Sequence, residues 1–81
     1  MKGTREHWDV DIDSTRIGLE RAARALIETG SQLLDSSRIG KYPLGRGITV
    51  FLRVAIPPGE ADRFREISRP IAMRPAQTVS V

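Results

Sequence analysis

Cysteine is absent from this 81-residue sequence, and histidine occurs only once, as His7. Without cysteine no disulfide bond supplements the core, which fits a reducing compartment and leaves packing or association to stabilise the chain. Zinc sites in proteins are built mainly from cysteine and histidine side chains. A single histidine leaves zinc without a plausible ligand set, and we predict neither a bound metal nor a cofactor.

Long apolar stretches are also missing. No run approaches the roughly 20 apolar residues that a membrane-spanning helix requires. The segment from Met1 to Arg5 leads into no signal-like apolar region. We therefore expect a soluble, cytoplasmic protein with no membrane partner. The length predicts a single domain over residues 1–81, because so short a chain has too little apolar surface for two cores, and oligomerisation would bury more.

The clearest positive signal is the segment from Gly47 to Ile56, in which every second side chain is a large aliphatic. A period of two in a run rich in β-branched residues predicts a strand, and Pro57-Pro58-Gly59 ends it. One face of this strand, which we expect to be covered, consists of Ile48, Val50, Leu52, Val54 and Ile56. The opposite face consists of Thr49, Phe51, Arg53 and Ala55.

Two segments have the 3.6-residue apolar period of a helix. The first begins near Asp13 or Ser14, either of which can cap it, and ends at Gly30, where a glycine can adopt a positive φ angle. The second runs from Gly59 to Ser68. The stripe of the first helix that we expect to meet the sheet consists of Leu19, Ala22, Ala23, Leu26 and Ile27, with Ile17 at its edge.

Three further strands are predicted. Apolar and polar residues alternate from Glu6 to Ile12, which indicates a half-buried first strand. The segment from Gln32 to Ile39 has a broken, polar pattern typical of a sheet edge. The segment from Ile71 to Val81 is extended, its best strand candidate is Thr78 to Val81, and Pro75 requires an edge or a bulge.

The element order is therefore strand, helix, strand, strand, helix, strand. Short connections and right-handed crossovers favour an α+β, ferredoxin-like βαββαβ sandwich, in which a four-stranded antiparallel sheet carries both helices on one face. In that arrangement the third and first strands are central. The second and fourth strands lie at the edges.

Charge is distributed unevenly along the chain. Residues 36–59 contain four basic side chains and no acid. Residues 6–13, in contrast, contain four acids and no arginine or lysine. If the first and third strands are neighbours, Arg53 lies across from Asp9 or Asp11, and cross-strand pairing neutralises both segments.

The spacing of Asp9, Asp11 and Asp13 also permits a second interpretation. Alternate residues of a strand lie on one side of it, and carboxylates gathered there can hold a hard cation such as magnesium. The pattern has no glycine turn or distal acid that would complete a calcium loop. The alternative to pairing with arginines is therefore a simple cation site.

An enzymatic interpretation centres on His7. A histidine close to aspartates can form an acid/base pair. The sequence offers no convincing nucleophile beside it, so a small dimeric ferredoxin-like enzyme is our third hypothesis, and we predict no catalytic residue.

The segment from Gly40 to Gly47 contains three glycines and two basic residues, but it does not match a nucleotide-binding loop. A basic hairpin of this kind can lie along RNA, with arginine and lysine on phosphates and an aromatic ring stacked on a base. The residues that would bind RNA are Arg38, Lys41, Tyr42 and Arg46. The strand faces themselves are poor in aromatics, which argues against RNA binding across the sheet.

A family resemblance supports the same fold. The segment Arg38-Ile39-Gly40-Lys41-Tyr42-Pro43-Leu44, the following strand, and Pro57-Pro58-Gly59-Glu60 before a helix resemble the middle of the ribosomal protein S6-like family. The resemblance covers about residues 38–68. It implies a ferredoxin-like fold and, as a further implication, RNA binding. The acidic first strand and the C-terminal prolines depart from the family pattern.

Our first functional hypothesis is a noncatalytic interaction module. The outward face of the third strand offers a small apolar patch that a second copy or another protein can cover, either at the sheet face or at an edge strand. The predicted partner-binding residues are Thr49, Phe51, Arg53 and Ala55. RNA binding through residues 38–46 is the alternative.

Overall fold

A computed structural model describes residues 4–41 and 48–76. These residues form an α+β fold in which an antiparallel four-stranded sheet is combined with two helices. The elements are, in chain order, β1 (Glu6–Asp13), α1 (Arg16–Thr29), β2 (Gln32–Lys41), β3 (Ile48–Ile56), α2 (Ala61–Ser68) and β4 (Ala72–Pro75).

The strands are ordered β2-β3-β1-β4 in the sheet, so β3 and β1 are its central strands. In the register of β1 against β3, Val10 lies opposite Leu52 and Asp9 lies opposite Arg53. The fourth strand pairs with β1 and ends at Pro75, a position that an edge strand tolerates. The sequence pattern placed the best fourth-strand candidate at Thr78 to Val81, which lies outside the described residues.

The hydrophobic core lies between one face of the sheet and the two helices. Its strand side is the aliphatic face of β1 and β3, as predicted for β3, and its helix side includes Phe64 of α2. Trp8 packs against this core at the start of β1, and its indole Nε1 donates to the Glu6 carboxylate at 3.3 Å. The buried core residues are Val10, Ile12, Ala22, Ala25, Leu52, Val54, Ile56 and Phe64.

The helix α1 faces the sheet differently from the prediction. Leu19 and Ile27, both assigned to the buried stripe, are 45% and 79% exposed, and Ala23 is also exposed. The buried positions are instead Gly18, Ala22, Ala25 and Thr29. The predicted stripe was therefore wrong at three of its five positions, whereas Ala22 is buried and Leu26 packs partly against the core.

Relative to the prediction, α1 is rotated about its own axis, because its backbone approaches the end of β1 closely. A Cβ atom added at Gly18 would lie 2.2 Å from the Asp13 carbonyl oxygen, so only glycine fits there. Small side chains at Ala22 and Ala25 continue the same face. The Thr29 hydroxyl, which is buried, donates to the Ala25 carbonyl at 2.7 Å and so does not enter the core unpaired.

The ends of α1 are set by local hydrogen bonds. Thr15, rather than the predicted Asp13 or Ser14, is the N-cap, and its hydroxyl accepts from the Gly18 amide at 3.2 Å. Asp13 supports the cap by accepting from the Thr15 amide and hydroxyl. Gly30 ends the helix with a φ of 70°, as predicted, and the following amide of Ser31 donates to the Leu26 carbonyl.

Glu28, in the last turn of α1, connects the two helices. Its carboxylate accepts from Arg24 at 2.8 Å and lies 3.5 Å from Arg63 of α2, whose guanidinium also donates to the Glu28 carbonyl. The hydrogen bond from Arg24 lowers the pKa of the Glu28 carboxyl below its ordinary value of 4.5. The contribution of this ionised group to stability is therefore present above that ordinary value and is lost as the pH falls through the lowered pKa.

Replacing Arg24 with glutamine should raise the pKa of Glu28 toward 4.5, because the largest cause of its lowering is removed. A carboxyl-detected NMR titration of the wild type and of Arg24→Gln measures this change. Arg16→Gln is the matched control, since Arg16 is also an i, i+4 partner on α1 but lies 3.9 Å from Glu20. An unchanged Glu28 titration in Arg24→Gln would contradict the hydrogen bond.

Candidate partner-binding face of the sheet

The face of the sheet opposite the helices is formed by the residues of each strand that alternate with the core residues; we call it the outer face. Register pairs define it, such as Asp9 with Arg53, Asp11 with Phe51 and Asp35 with Arg53. Its described members are His7, Asp9, Asp11, Asp13, Gln32, Asp35, Ser37, Thr49, Phe51, Arg53, Ala55, Ala72 and Arg74.

The centre of the outer face is an ion pair between the two central strands. The Arg53 guanidinium donates from Nε to Asp9 Oδ1 at 2.8 Å and from Nη2 to Asp9 Oδ2 at 3.2 Å. Two parallel bonds of this kind fix both side chains. The Asp9 hydrogen bond, followed by its charge, raises the pKa of Arg53, to which the charge of Asp35 also contributes. The predicted pairing of Arg53 with an aspartate of β1 is confirmed for Asp9.

The aromatic ring of Phe51 lies beside this ion pair. The Arg53 Cζ atom is 6.0 Å from the centroid of the ring, at the outer limit for a cation–π contact. Arg53 is therefore held by a carboxylate on the neighbouring strand and lies beside a ring two positions along its own strand. The result is a preorganised charged and aromatic surface in the middle of the sheet.

The other two aspartates of β1 have separate partners. Asp11 Oδ2 accepts from Arg74 of β4 at 3.5 Å, and Asp13 accepts from the amide and hydroxyl of Thr15. Asp11 Oδ1 is buried and accepts no hydrogen bond from the described residues. Each of the three carboxylates therefore has a partner of its own. Accordingly, the described part of the chain contains no group of three or more histidine, cysteine, aspartate or glutamate side chains placed to hold a metal ion.

The four predicted partner-binding residues differ in exposure. Thr49 and Ala55 are each only 3% exposed, because their small side chains lie low between neighbouring strands. Phe51 and Arg53 are half-buried, and the Arg53 side chain keeps 41% of its surface. Contact area for a partner on β3 therefore comes mainly from Phe51 and Arg53.

His7 is exposed on the outer face and lies in register with Ala55. Its imidazole takes part in none of the hydrogen bonds found among residues 4–41 and 48–76. Within these residues, no hydrogen-bond partner orients its ring for proton transfer.

The residues predicted for RNA binding lie near the β2–β3 hairpin. Arg38 and Lys41 belong to β2, where their backbones pair in register with Val50 and Ile48 of β3. Tyr42 and Arg46 lie outside the described residues. RNA binding through this segment therefore stays a prediction.

Arg74 is an outer-face residue with an acidic partner that the sequence interpretation missed. The best strand candidate lay nearer the C-terminus, so no acid of β1 was assigned a partner on β4. Antiparallel pairing of Ala72–Pro75 with β1 brings Arg74 diagonally to Asp11. The available signal was the sequence after Ile71, in which Ala72 and Arg74 alternate with the apolar Met73 as they would on one face of a strand.

No protein-family model matches this chain, and a comparison with curated proteins also returns no match. Neither helix in the described part of the chain is long and apolar enough to cross a membrane.

Proposed function

We propose that this chain is a noncatalytic interaction module of the ferredoxin-like type that self-associates through its outer face. The observation that carries the proposal is the half-buried Phe51 beside the fixed Arg53 and Asp9 side chains, on the side of the sheet that the helices leave uncovered. An aromatic ring next to an arginine that is already ordered is an arrangement favoured at interfaces, because little side-chain entropy is lost on binding.

The strand arrangement supports the ferredoxin-like assignment. The order β2-β3-β1-β4 places the third and first strands at the centre, which is the expectation for a βαββαβ sandwich. Residues of both helices join one core against one side of β1 and β3. The resemblance to the ribosomal protein S6-like family is compatible with this fold and remains a separate prediction.

The charges of the outer face favour a second copy as the partner. Its described residues include the aspartates at 9, 11, 13 and 35 and the arginines at 53 and 74. A face that carries both signs can be self-complementary under a two-fold axis, because each arginine, although paired within its own copy, keeps exposed surface that can approach an aspartate of the other copy. The excess of acids makes the same face a poor surface for nucleic acid, where phosphates must be neutralised.

The sheet edges are less suited to association than the outer face. The pairing of β2 with β3 is interrupted by irregularities between Leu33 and Asp35 and between Ile39 and Lys41. Such irregularities disturb the regular hydrogen-bonding edge that strand addition requires. The other edge strand, β4, has four residues and ends in proline. We therefore place the contact on the face.

Sedimentation measured over a micromolar to millimolar concentration series tests this proposal. The wild type should show a weight-average mass that rises with concentration, and Phe51→Asp should remain monomeric, because association would bury its new carboxylate without a partner. Ile27→Asp is the matched control, since Ile27 is 79% exposed on the helical side of the molecule. It should associate like the wild type.

Two results would overturn the proposal. A wild type that stays monomeric at millimolar concentration would exclude self-association. Equal association of Phe51→Asp and the wild type would place the contact elsewhere on the molecule. Circular dichroism of both variants checks that each one is folded.

A further inference from the structure

A cleft of about 430 Å³ lies at the end of the sheet where α1 begins and α2 ends, away from the central ion pair of the outer face. One wall comes from the start of α1 and includes Ile17 and Arg21. The other comes from the segment between α2 and β4 and includes Arg69 and Ile71. Ile12, which is buried, also lines it. Its volume is in the range of small-molecule sites.

The two arginines of the cleft differ from most other arginines of the described chain. Arg16, Arg24, Arg53, Arg63, Arg65 and Arg74 each lie within salt-bridge distance of an acid. Among the residues that the structure describes, no such acid partner is found for Arg21 or Arg69. As far as the described residues are concerned, no acid uses the hydrogen-bond donors of these two guanidinium groups, which can therefore serve a ligand.

The acid that lines the cleft does not neutralise these arginines. Asp13 accepts from the Thr15 amide and hydroxyl at 3.2 and 3.1 Å. The Gly18 amide at the start of α1 already donates to Thr15. Recognition of an anion in the cleft therefore rests on the arginine side chains rather than on the helix terminus.

Apolar surface borders the same two arginines. Ile17 is 59% exposed and Ile71 is 45% exposed, although both are large aliphatic residues, and Pro70 between Arg69 and Ile71 is half-buried. A concave surface with exposed aliphatic walls and a few charged groups is the usual composition of a site for a small amphipathic molecule. Burying these walls would add hydrophobic stabilisation to charge pairing.

The backbone at Arg69 adds a further argument. This residue ends α2 with φ 47° and ψ 61°, a left-handed conformation that glycine adopts with the least strain. The chain has an arginine at a position where glycine would suit the backbone better. A ligand-binding role for the guanidinium accounts for an arginine there.

We propose that this cleft binds a small organic carboxylate with an aliphatic body. The carboxylate accepts charge-assisted hydrogen bonds from Arg21 and Arg69, and the aliphatic part lies against Ile17 and Ile71. The site shares Asp13 with the outer face, but none of the residues proposed to bind the ligand lies on that face, so binding does not depend on self-association. It is a binding site without an assigned reaction.

Titration of ¹⁵N-labelled protein with octanoate below its micelle concentration tests this site. Amide signals of Gly18, Ser68 and Ile71, which line the cleft, should shift together and saturate. Acetate, which lacks the aliphatic body, and 1-octanol, which lacks the charge, should each bind at least about tenfold more weakly. No saturating shift with octanoate, or equal binding of 1-octanol, would overturn the proposal.

Three variants test whether octanoate binding depends on the two cleft arginines or only on the positive charge of the protein. Arg21→Gln and Arg69→Gly should each weaken octanoate binding by about tenfold, the loss expected for one charge-assisted hydrogen bond. Arg24→Gln removes the same charge from the same helix outside the cleft and should bind like the wild type. Equal affinities for all three variants and the wild type would overturn the proposal.

Arg69→Gly also distinguishes loss of binding from loss of folding. Glycine relieves the left-handed backbone, so this variant should have a melting temperature no lower than that of the wild type. Weaker octanoate binding by a protein that is equally or more stable assigns the effect to the guanidinium. Unchanged octanoate affinity in this stable variant would exclude Arg69 from the site.

Discussion

Phe64→Ala is expected to lower the free energy of unfolding by about 4 kcal/mol, the largest effect we predict for a single substitution. Phe64 is fully buried and is the largest of the buried core side chains. A domain of this length has a total stability of about 4–12 kcal/mol. Removing one ring therefore takes away between a third and all of that stability, and leaves about 0–8 kcal/mol.

The size of this effect follows from the composition of the core. Among the residues that the structure describes, Phe64 is the only aromatic member of the buried core cluster, to which α1 contributes the small Ala22 and Ala25, with Leu26 packed partly against it. The two alanines cannot expand into the space, so truncation leaves a cavity. Urea unfolding followed by circular dichroism measures the loss.

Ile27→Ala is the matched control for Phe64→Ala. It also truncates a large apolar side chain to alanine, but Ile27 is 79% exposed, so its free energy of unfolding should change by less than about 0.5 kcal/mol. Similar losses of unfolding free energy in the two variants would contradict the observation that Ile27 is exposed and Phe64 is buried.

Gly18→Ala is expected to destabilise the protein by about 3 kcal/mol, although alanine is the better helix former by about 1 kcal/mol. The added Cβ would lie 2.2 Å from the Asp13 carbonyl oxygen. That oxygen belongs to the backbone, so the clash can be relieved only by moving α1 away from the end of β1. Helix propensity and close packing thus predict effects of opposite sign.

Ala23→Gly is the control for this substitution. Ala23 is exposed on the same helix, so the reverse exchange should cost only about 1 kcal/mol through helix propensity. Thermal unfolding by calorimetry compares the two variants. A Gly18→Ala protein as stable as the wild type would show that the helix does not approach the strand closely at this point.

The sequence predicted the strands better than the orientation of α1. Alternation in β3 depends only on the period of the backbone, so its buried face could be derived before any packing was known. In α1 the large aliphatic residues suggested one face, but helix orientation depends on how near the backbone can come to the sheet. Gly18 and Ala25 permit closer contact than Leu19 or Ile27, and the sequence pattern carries no information on that distance.

The ion pairs of the outer face could also be predicted only in part. Pairing of Asp9 with Arg53 followed from placing β1 beside β3, because the charges then lie in adjacent strands. Pairing of Asp11 with Arg74 depended on locating β4, whose four residues include a proline and have weak strand propensity. The cleft between Arg21 and Arg69 joins residues far apart in sequence, so no local pattern could indicate it.

Trp8, the single tryptophan of the chain, has a spectroscopic consequence. It packs against the edge of the core, and its register partners are Val54 of β3 and Pro75 of β4. Its fluorescence therefore reports on a junction of three strands rather than on the molecule as an average. Detachment of β4 from β1 would change the solvent around the indole before the core around Phe64 opens, so the emission spectrum can distinguish fraying of the edge strand from global unfolding.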